Sequence, residues 1–196
     1  QSNTADGTFT LLDESEKSVP LMHGGMSGRY ARVGKLQLME LPYDGHELSM
    51  VVLLPDAGAF DEVEGALTAT GLEEALAAAR QFDIVLTLPK FETETSFALK
   101  TVLEKLGMVD AFKPGQADLS GLNGSRDLFV SAVVHKAFVK VNEEGTEAAA
   151  ATAVIAGTTS VPELVTVSVD RPFVFLIRDH ATGAILFVGR VLDPTS

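Results

Sequence analysis

No cysteine occurs anywhere in the chain, so neither a disulfide nor a thiolate metal site can form. A chain without cysteine fits a cytosolic and a secreted location alike. Histidine is scarce too: His23, His46, His135 and His180 lie far apart and lack metal-type spacings such as H-x-x-x-H. Basic residues are outnumbered, with 15 Lys and Arg against 27 Asp and Glu and a formal net charge of −12. That balance argues against nucleic acid and anionic membranes, both of which recruit basic patches. Plain solubility is the simpler reading of the charge. No apolar run approaches the ~20 residues needed to cross a bilayer. Gly24, Gly25 and Gly28 do not continue into a phosphate loop with Lys and Ser or Thr. Gly25-Met26-Ser27-Gly28 looks like a nucleophile elbow only superficially, because its second glycine falls one residue early. The expectation is therefore no catalytic residue, no metal and no cofactor.

The elements follow from periodicity and punctuation. At 196 residues the length prior is one domain, large enough to bury a core. Tyr30 to Lys35, Gln37 to Leu41 and Leu48 to Leu54 are short apolar-rich runs bounded by Pro42-Tyr43-Asp44-Gly45 and Pro55-Asp56-Ala57-Gly58, which predicts strands. Two helices follow. Thr70-Gly71-Leu72-Glu73 fits a capping box, and Leu72, Ala75, Leu76 and Ala79 form one apolar stripe. Phe82 to Phe91 reads as a long strand interrupted in character by Pro89. A helix is expected from Phe97 to Leu106, with Leu99, Val102, Leu103 and Leu106 on one face and Gly107 as its stop. Leu128 to Val141 is apolar at both alternating sets of positions, which implies a central strand covered on both sides. Phe173 to Ile177 and Ala184 to Val191 are two final strands joined by Asp179 to Gly183. Neither an internal repeat nor a second domain boundary is evident.

The stretch from Asn142 to Phe173 stands apart. After Gly145 come four successive alanines, Ala148 to Ala151, then small and β-branched residues, with no Lys or Arg between Glu147 and Arg171. It is too apolar for an ordinary disordered linker and too poor in large side chains to anchor a core. As an extended strand, Thr146, Ala148, Ala150, Thr152 and Val154 share one face, and Glu147 falls on the other. Small inward residues let such a strand slide between two neighbours. Composition alone prefers a helix from Glu147 to Ile155 capped by Thr146, because alanine is the best helix former.

The flanks change that weighting. Glu143-Glu144-Gly145-Thr146-Glu147-Ala148-Ala149-Ala150-Ala151 resembles the hinge of serpin reactive-centre loops. Val167 to Ile177, read as VSVDRPFVFLI, resembles the family's C-terminal signature. Leu106-Gly107-Met108 with Asp110-Ala111-Phe112, Ala117 to Leu122, and Val134-His135-Lys136-Ala137-Phe138 look like serpin segments in the family's order, as do Leu186 to Val191 and Pro194. The fold implied is α+β: roughly the C-terminal half of the serpin fold, with mixed β-sheets, a few helices and a mobile reactive-centre loop. Residues 1–196 would be the C-terminal portion of a single serpin domain whose N-terminal half is absent from this chain. Gln1 is not a start methionine, so the chain is expected to be a piece of a longer product, and a signal peptide cannot be judged from it. A secreted or extracellular location is favoured.

Further expectations come from the resemblance alone. It implies a suicide substrate: a serine protease attacks a loop bond, forms an acyl-enzyme, and is trapped when the cut loop inserts into the main sheet. The family interval from Gly145 puts the reactive bond at Thr159–Ser160, with the register open by a residue or two. Thr159 and the small residues before it suit an elastase-like or subtilisin-like protease. A chymotrypsin-like enzyme using Leu164 is the second choice, and no basic residue offers itself to a trypsin-like one. Lys90 and Glu143 look like the ion pair that closes the top of the sheet in some serpins; otherwise they are a plain surface pair. His135 is read either as a satisfied core histidine or as part of the control of sheet opening. The competing class is a non-inhibitory serpin acting as a binding or chaperone-like module. Such relatives typically carry bulky, charged or proline residues in the hinge, unlike the small residues here.

Overall fold

Two apolar runs set the architecture. Leu48–Pro55 reads LSMVVLLP and is buried from Ser49 to its end, while Phe173–Asp179 opens with Phe173, Val174, Phe175 and Leu176, all buried. Such runs, without polar alternation, belong to strands covered on both faces. In the computed structural model, which describes residues 4–143 and 163–195, these two strands pair with each other in the middle of an eight-stranded sheet.

In chain order the strands are β1 (Thr4–Thr10), β2 (Glu16–Val33), β3 (Leu36–Pro42), β4 (Leu48–Pro55), β5 (Arg80–Pro89), β6 (Phe91–Ala98), β7 (Val134–Val141), β8 (Glu163–Ser168), β9 (Phe173–Asp179) and β10 (Ile185–Val191). The large sheet runs β10-β9-β4-β3-β2-β5-β8, with β1 pairing to β2 beside this path; β6 and β7 form a separate two-stranded sheet. All pairings in the large sheet are antiparallel except β5 with β8, which is parallel. The helices are short: α1 (Phe60–Ala66), α2 (Ala69–Ala78), α3 (Lys100–Lys105) and α4 (Ser120–Asn123), with a 3-10 turn at Asp110–Phe112.

The chain divides into two compact units, residues 1–92 with 140–196, and residues 93–139. In the first, Phe60, Leu72 and Ala75 from α1 and α2 pack with Ala31, Leu38, Val51, Leu53, Val174 and Leu176 of the sheet. Two residues along β3 from Leu38 lies a buried charge. Glu40 is 2 % exposed and accepts hydrogen bonds from Arg29 at 2.7 Å, Ser49 at 3.0 Å and Arg178 at 3.3 Å. Arg29 also donates to the carbonyls of Leu76 and of the C-cap Ala79, placing a cation at the C-terminal end of α2, where the helix dipole favours one. Gly28 permits this closeness, since a Cβ there would sit 2.9 Å from the Glu40 carbonyl oxygen.

Several elements depart from the sequence reading. β2 begins at Glu16, far ahead of the expected Tyr30, because it serves three neighbours in turn: β1 at its start, β5 in its middle and β3 at its end. The cap of α2 is Thr68, whose hydroxyl accepts from the Gly71 amide at 3.0 Å, not Thr70. Ala69 is a strong helix former, so the helix extends back to the earlier competent threonine. Phe97 and Ala98 finish β6, and the helix expected from Phe97 shortens to α3. Its stripe is open to solvent at Val102 and Leu106. The expected covered strand over Leu128 to Val141 is also corrected. The strand starts at Val134, has β6 as its partner in a two-stranded sheet, and exposes Val134, His135, Lys136, Phe138 and Lys140. Val141 at its end is buried, and Ala137 and Val139 are partly so.

Candidate functional site

The segment singled out by sequence leaves the end of β7, and its departure point is tied down by side chains. Pro89 closes β5 opposite Leu21 of β2, and the next amide, that of Lys90, donates to the Pro20 carbonyl at 3.0 Å. The Lys90 ammonium then meets the Glu143 carboxylate at 2.5 Å. From the other side of β2, where Thr4 stands opposite Met22, the Thr4 hydroxyl donates to Glu143 at 2.5 Å. One carboxylate therefore spans β2 and joins the start of β1 to the residue after β5. Hydrogen bonds from Lys90 first and Thr4 second, with the Lys90 charge adding to them, hold the Glu143 carboxyl at about 2, well below its ordinary 4.5. Nearby, Lys140 of β7 pairs with Glu92 of β6 at 3.1 Å.

The return point is built differently. β8 lies parallel to β5, with Phe82 opposite Glu163 and Thr87 opposite Ser168. Val167 is buried, and the Val169 amide continues the ladder to the Thr87 carbonyl at 2.8 Å. The chain is then fastened by the Asp170 carbonyl, which accepts from the Thr10 amide, and by Arg171, which donates to the Pro55 carbonyl at 2.8 Å. From there it enters β9 at the core of the large sheet. Residues 144–162 thus run from a strand of the two-stranded sheet to an edge strand of the eight-stranded one.

Of the residues singled out by sequence, Lys90 and Glu143 come together as an ion pair. His135 sits exposed on β7 in the second unit, with no side-chain hydrogen bond among the described residues. Glu144, Gly145, Thr146, Glu147 and Ala148 to Ala151 of the hinge lie outside the described residues. So do Thr159 and Ser160 of the expected reactive bond and the strand-or-helix question over Glu147 to Ile155. Leu164 is described: it belongs to β8, opposite Asp83, with its side chain 70 % exposed. Sequence reasoning missed Thr4, 139 positions from its partner, and no local pattern could have found it. Among the described residues there is no group of three or more His, Cys, Asp or Glu that could hold a metal ion. No helix there is long and apolar enough to cross a membrane.

Comparison with known proteins gives a consistent result. A family profile described as serpin (serine protease inhibitor) matches residues 1–194. Leukocyte elastase inhibitor A of Rattus norvegicus is 41 % identical over 99 % of this chain and 54 % of its own length. Leukocyte elastase inhibitor of Homo sapiens is 40 % identical over 97 % and 53 % respectively. The chain therefore spans about half the length of these relatives. Among solved structures, uncleaved ovalbumin superimposes with a TM-score of 0.78 at 30 % identity, covering 98 % of this chain and 49 % of that one.

Proposed function

The chain belongs to the serpin family, and from that premise we propose that it forms the C-terminal half of an inhibitor of serine endopeptidases, with residues 144–162 as its reactive-centre loop. The observation that carries this reading is the setting of that segment. It is latched upstream by Glu143 and docked downstream through β8, and its own residues are too small to pack as a core.

The mechanism proposed is the one that membership of the serpin family implies, and the two anchors are compatible with it. A protease serine attacks the loop and forms an acyl-enzyme on its upstream piece, which remains attached to β7. That piece inserts into the main sheet of the complete protein, carrying the protease with it before water completes hydrolysis. Each solvated backbone group that becomes a ladder bond contributes a net ~1 kcal/mol, so a strand of about ten residues supplies on the order of 10 kcal/mol. This rivals the whole stability of an ordinary domain. The hinge Gly145, Thr146 and Ala148 to Ala151 suits insertion because nothing bulky or charged turns inward.

Thr159–Ser160 is the proposed scissile bond. A bond at Leu164 is the weaker choice, because β8 holds it in a ladder with β5 and a protease would first have to peel the strand away. Small residues up to Thr159 suit an elastase-like or subtilisin-like protease, which accords with the names of the two relatives. Lys90 and Glu143 restrain the top of the sheet, and His135 is assigned to the strand that moves when it opens. The second partner is the N-terminal half of the same domain. Large apolar side chains such as Leu106, Leu122 and Phe138 in one unit, and Leu186 and Val188 in the other, are exposed here and suit burial against it.

Incubating the full-length protein with a panel of serine proteases tests the reading. An SDS-stable complex with an elastase-like or subtilisin-like enzyme is the expected outcome. Cleavage of the loop without any such complex would replace inhibition by the reading of a binding or chaperone-like module.

A further inference from the structure

Asn123 closes α4, and Gly124 follows it with φ +80°, a left-handed conformation that glycine adopts without steric cost. The Gly124 amide donates to the Ser120 carbonyl at 2.7 Å. The Asn123 side chain is held at both ends: its Oδ1 accepts from the Ser125 amide at 3.0 Å and its Nδ2 donates to Asp127 Oδ1 at 2.9 Å. Ser125 Oγ donates to the same carboxylate oxygen. Every residue from Gly121 to Phe129 is exposed, and nothing stands within 4 Å of the place a Gly124 Cβ would take.

We propose that Asn123–Gly124 is a site of spontaneous deamidation, gated by local opening of the turn that follows α4, with water as the only co-reactant. The Gly124 amide nitrogen gives up its proton and attacks Asn123 Cγ. A nitrogen–carbon bond forms, the Cγ–Nδ2 bond breaks, and the amide nitrogen departs as ammonia, leaving a five-membered imide. Water then adds to one or other imide carbonyl and opens the ring, giving aspartate or iso-aspartate at position 123. No oxidant or reductant takes part.

The folded turn restrains both reacting atoms. The attacking nitrogen is turned towards Ser120, and Cγ is fixed by the two bonds to its oxygen and nitrogen. Reaction therefore requires those bonds to open together. A single exposed helical turn with few buried contacts opens at the low end of the stability scale, so the gate is shallow. The product is incompatible with the closed turn. Where an N–H donated to Asp127, a carboxylate that can only accept would face a carboxylate. The Asp127 carboxyl is now held below its ordinary range by the Ser125 hydroxyl first and the Asn123 amide next, and it would lose the second of these donors. An iso-aspartate would also lengthen the backbone by one carbon inside a turn set by a single i to i+4 bond. The change is one-way, and it unties the segment between α4 and β7.

The test is peptide mapping by mass spectrometry of the full-length protein during incubation at mildly alkaline pH. A synthetic peptide spanning residues 118–128 serves as the ungated reference. Native protein is expected to convert at Asn123 more slowly than the peptide. Asp127→Ala, and independently Ser125→Ala, should accelerate conversion by roughly fivefold, the effect of removing one hydrogen bond from the closed turn. Asn123→Gln should show no conversion at this position, since its longer side chain forms the cyclic imide far more slowly. Conversion of native protein at the peptide's rate overturns the gate. Absence of any conversion in both variants while the peptide is fully converted overturns the site.

Discussion

Lys90 and Glu143 close a 2.5 Å ion pair whose carboxylate also receives the Thr4 hydroxyl, so three separate parts of the chain meet at one acidic group. The carboxyl is held at about 2 in the folded chain against an ordinary 4.5. Its contribution is therefore complete above about pH 4.5 and is lost as pH falls through about 2. Glu143→Gln in the full-length protein should lower the thermal midpoint at neutral pH. Parent and variant should converge as the pH approaches 2. Thermal melts across that range check it, and parallel curves at every pH would remove Glu143 from the latch.

If the proposed inhibition holds, Thr146→Arg should turn the full-length protein from inhibitor into substrate. An inward charge would have to be buried unpaired during insertion, which is strongly unfavourable. Deacylation would then outrun trapping. The readout is the ratio of SDS-stable complex to cleaved inhibitor, and an unchanged ratio would mean that Thr146 does not face inward.

Thr159→Arg should confer inhibition of trypsin-like enzymes, whose primary pocket demands a basic side chain. After denaturation, the C-terminal piece of the cleaved parent should begin at Ser160 by mass spectrometry. A piece beginning at Val165 would move the bond to Leu164 and the target class to chymotrypsin-like enzymes.

Glu40→Ala should destabilise the protein by about 3 kcal/mol, the lower end of the range for breaking a buried ion pair, because Arg29 is partly solvated and can relax. The loss should appear as a lower denaturant midpoint. A change below about 1 kcal/mol, the scale of a surface pair, would mean that water replaces the carboxylate at little cost.

Residues 1–196 expressed alone should aggregate or melt without cooperativity. Phe138 on β7 and Leu122 within α4 are exposed here, and β7 is paired in only a two-stranded sheet. Co-expression with the N-terminal half should restore a sharp transition. A monomeric chain with a cooperative melt in the absence of that half would refute the single-domain reading.

What the sequence disclosed and what it concealed divide along physical lines. Leu48 to Leu54 and Phe173 to Ile177 were legible because central strands need unbroken apolar runs, and nothing else in a short chain explains such runs. β2 was not, because Pro20, Gly24, Gly25 and Gly28 dilute its apolar pattern, whereas Gly28 is there to let the Glu40 carbonyl approach. Leu128 to Val141 carried the apolar pattern of a covered strand, but that pattern names no covering partner. The Lys90–Glu143 pair was legible through the serpin motifs that frame it. Thr4 was invisible, since a hydroxyl at a strand's first residue has many ordinary uses.

The docking of β8 on β5 has a consequence for how a nicked molecule would look. Everything downstream of a cut at Ser160 still contains β8, β9 and β10, and β9 is hydrogen-bonded on both sides, to β4 and to β10. A severed chain would therefore travel as one particle. Gel filtration and a native gel would register no loss of mass, and the break would become visible only once denaturant pulled the sheet apart.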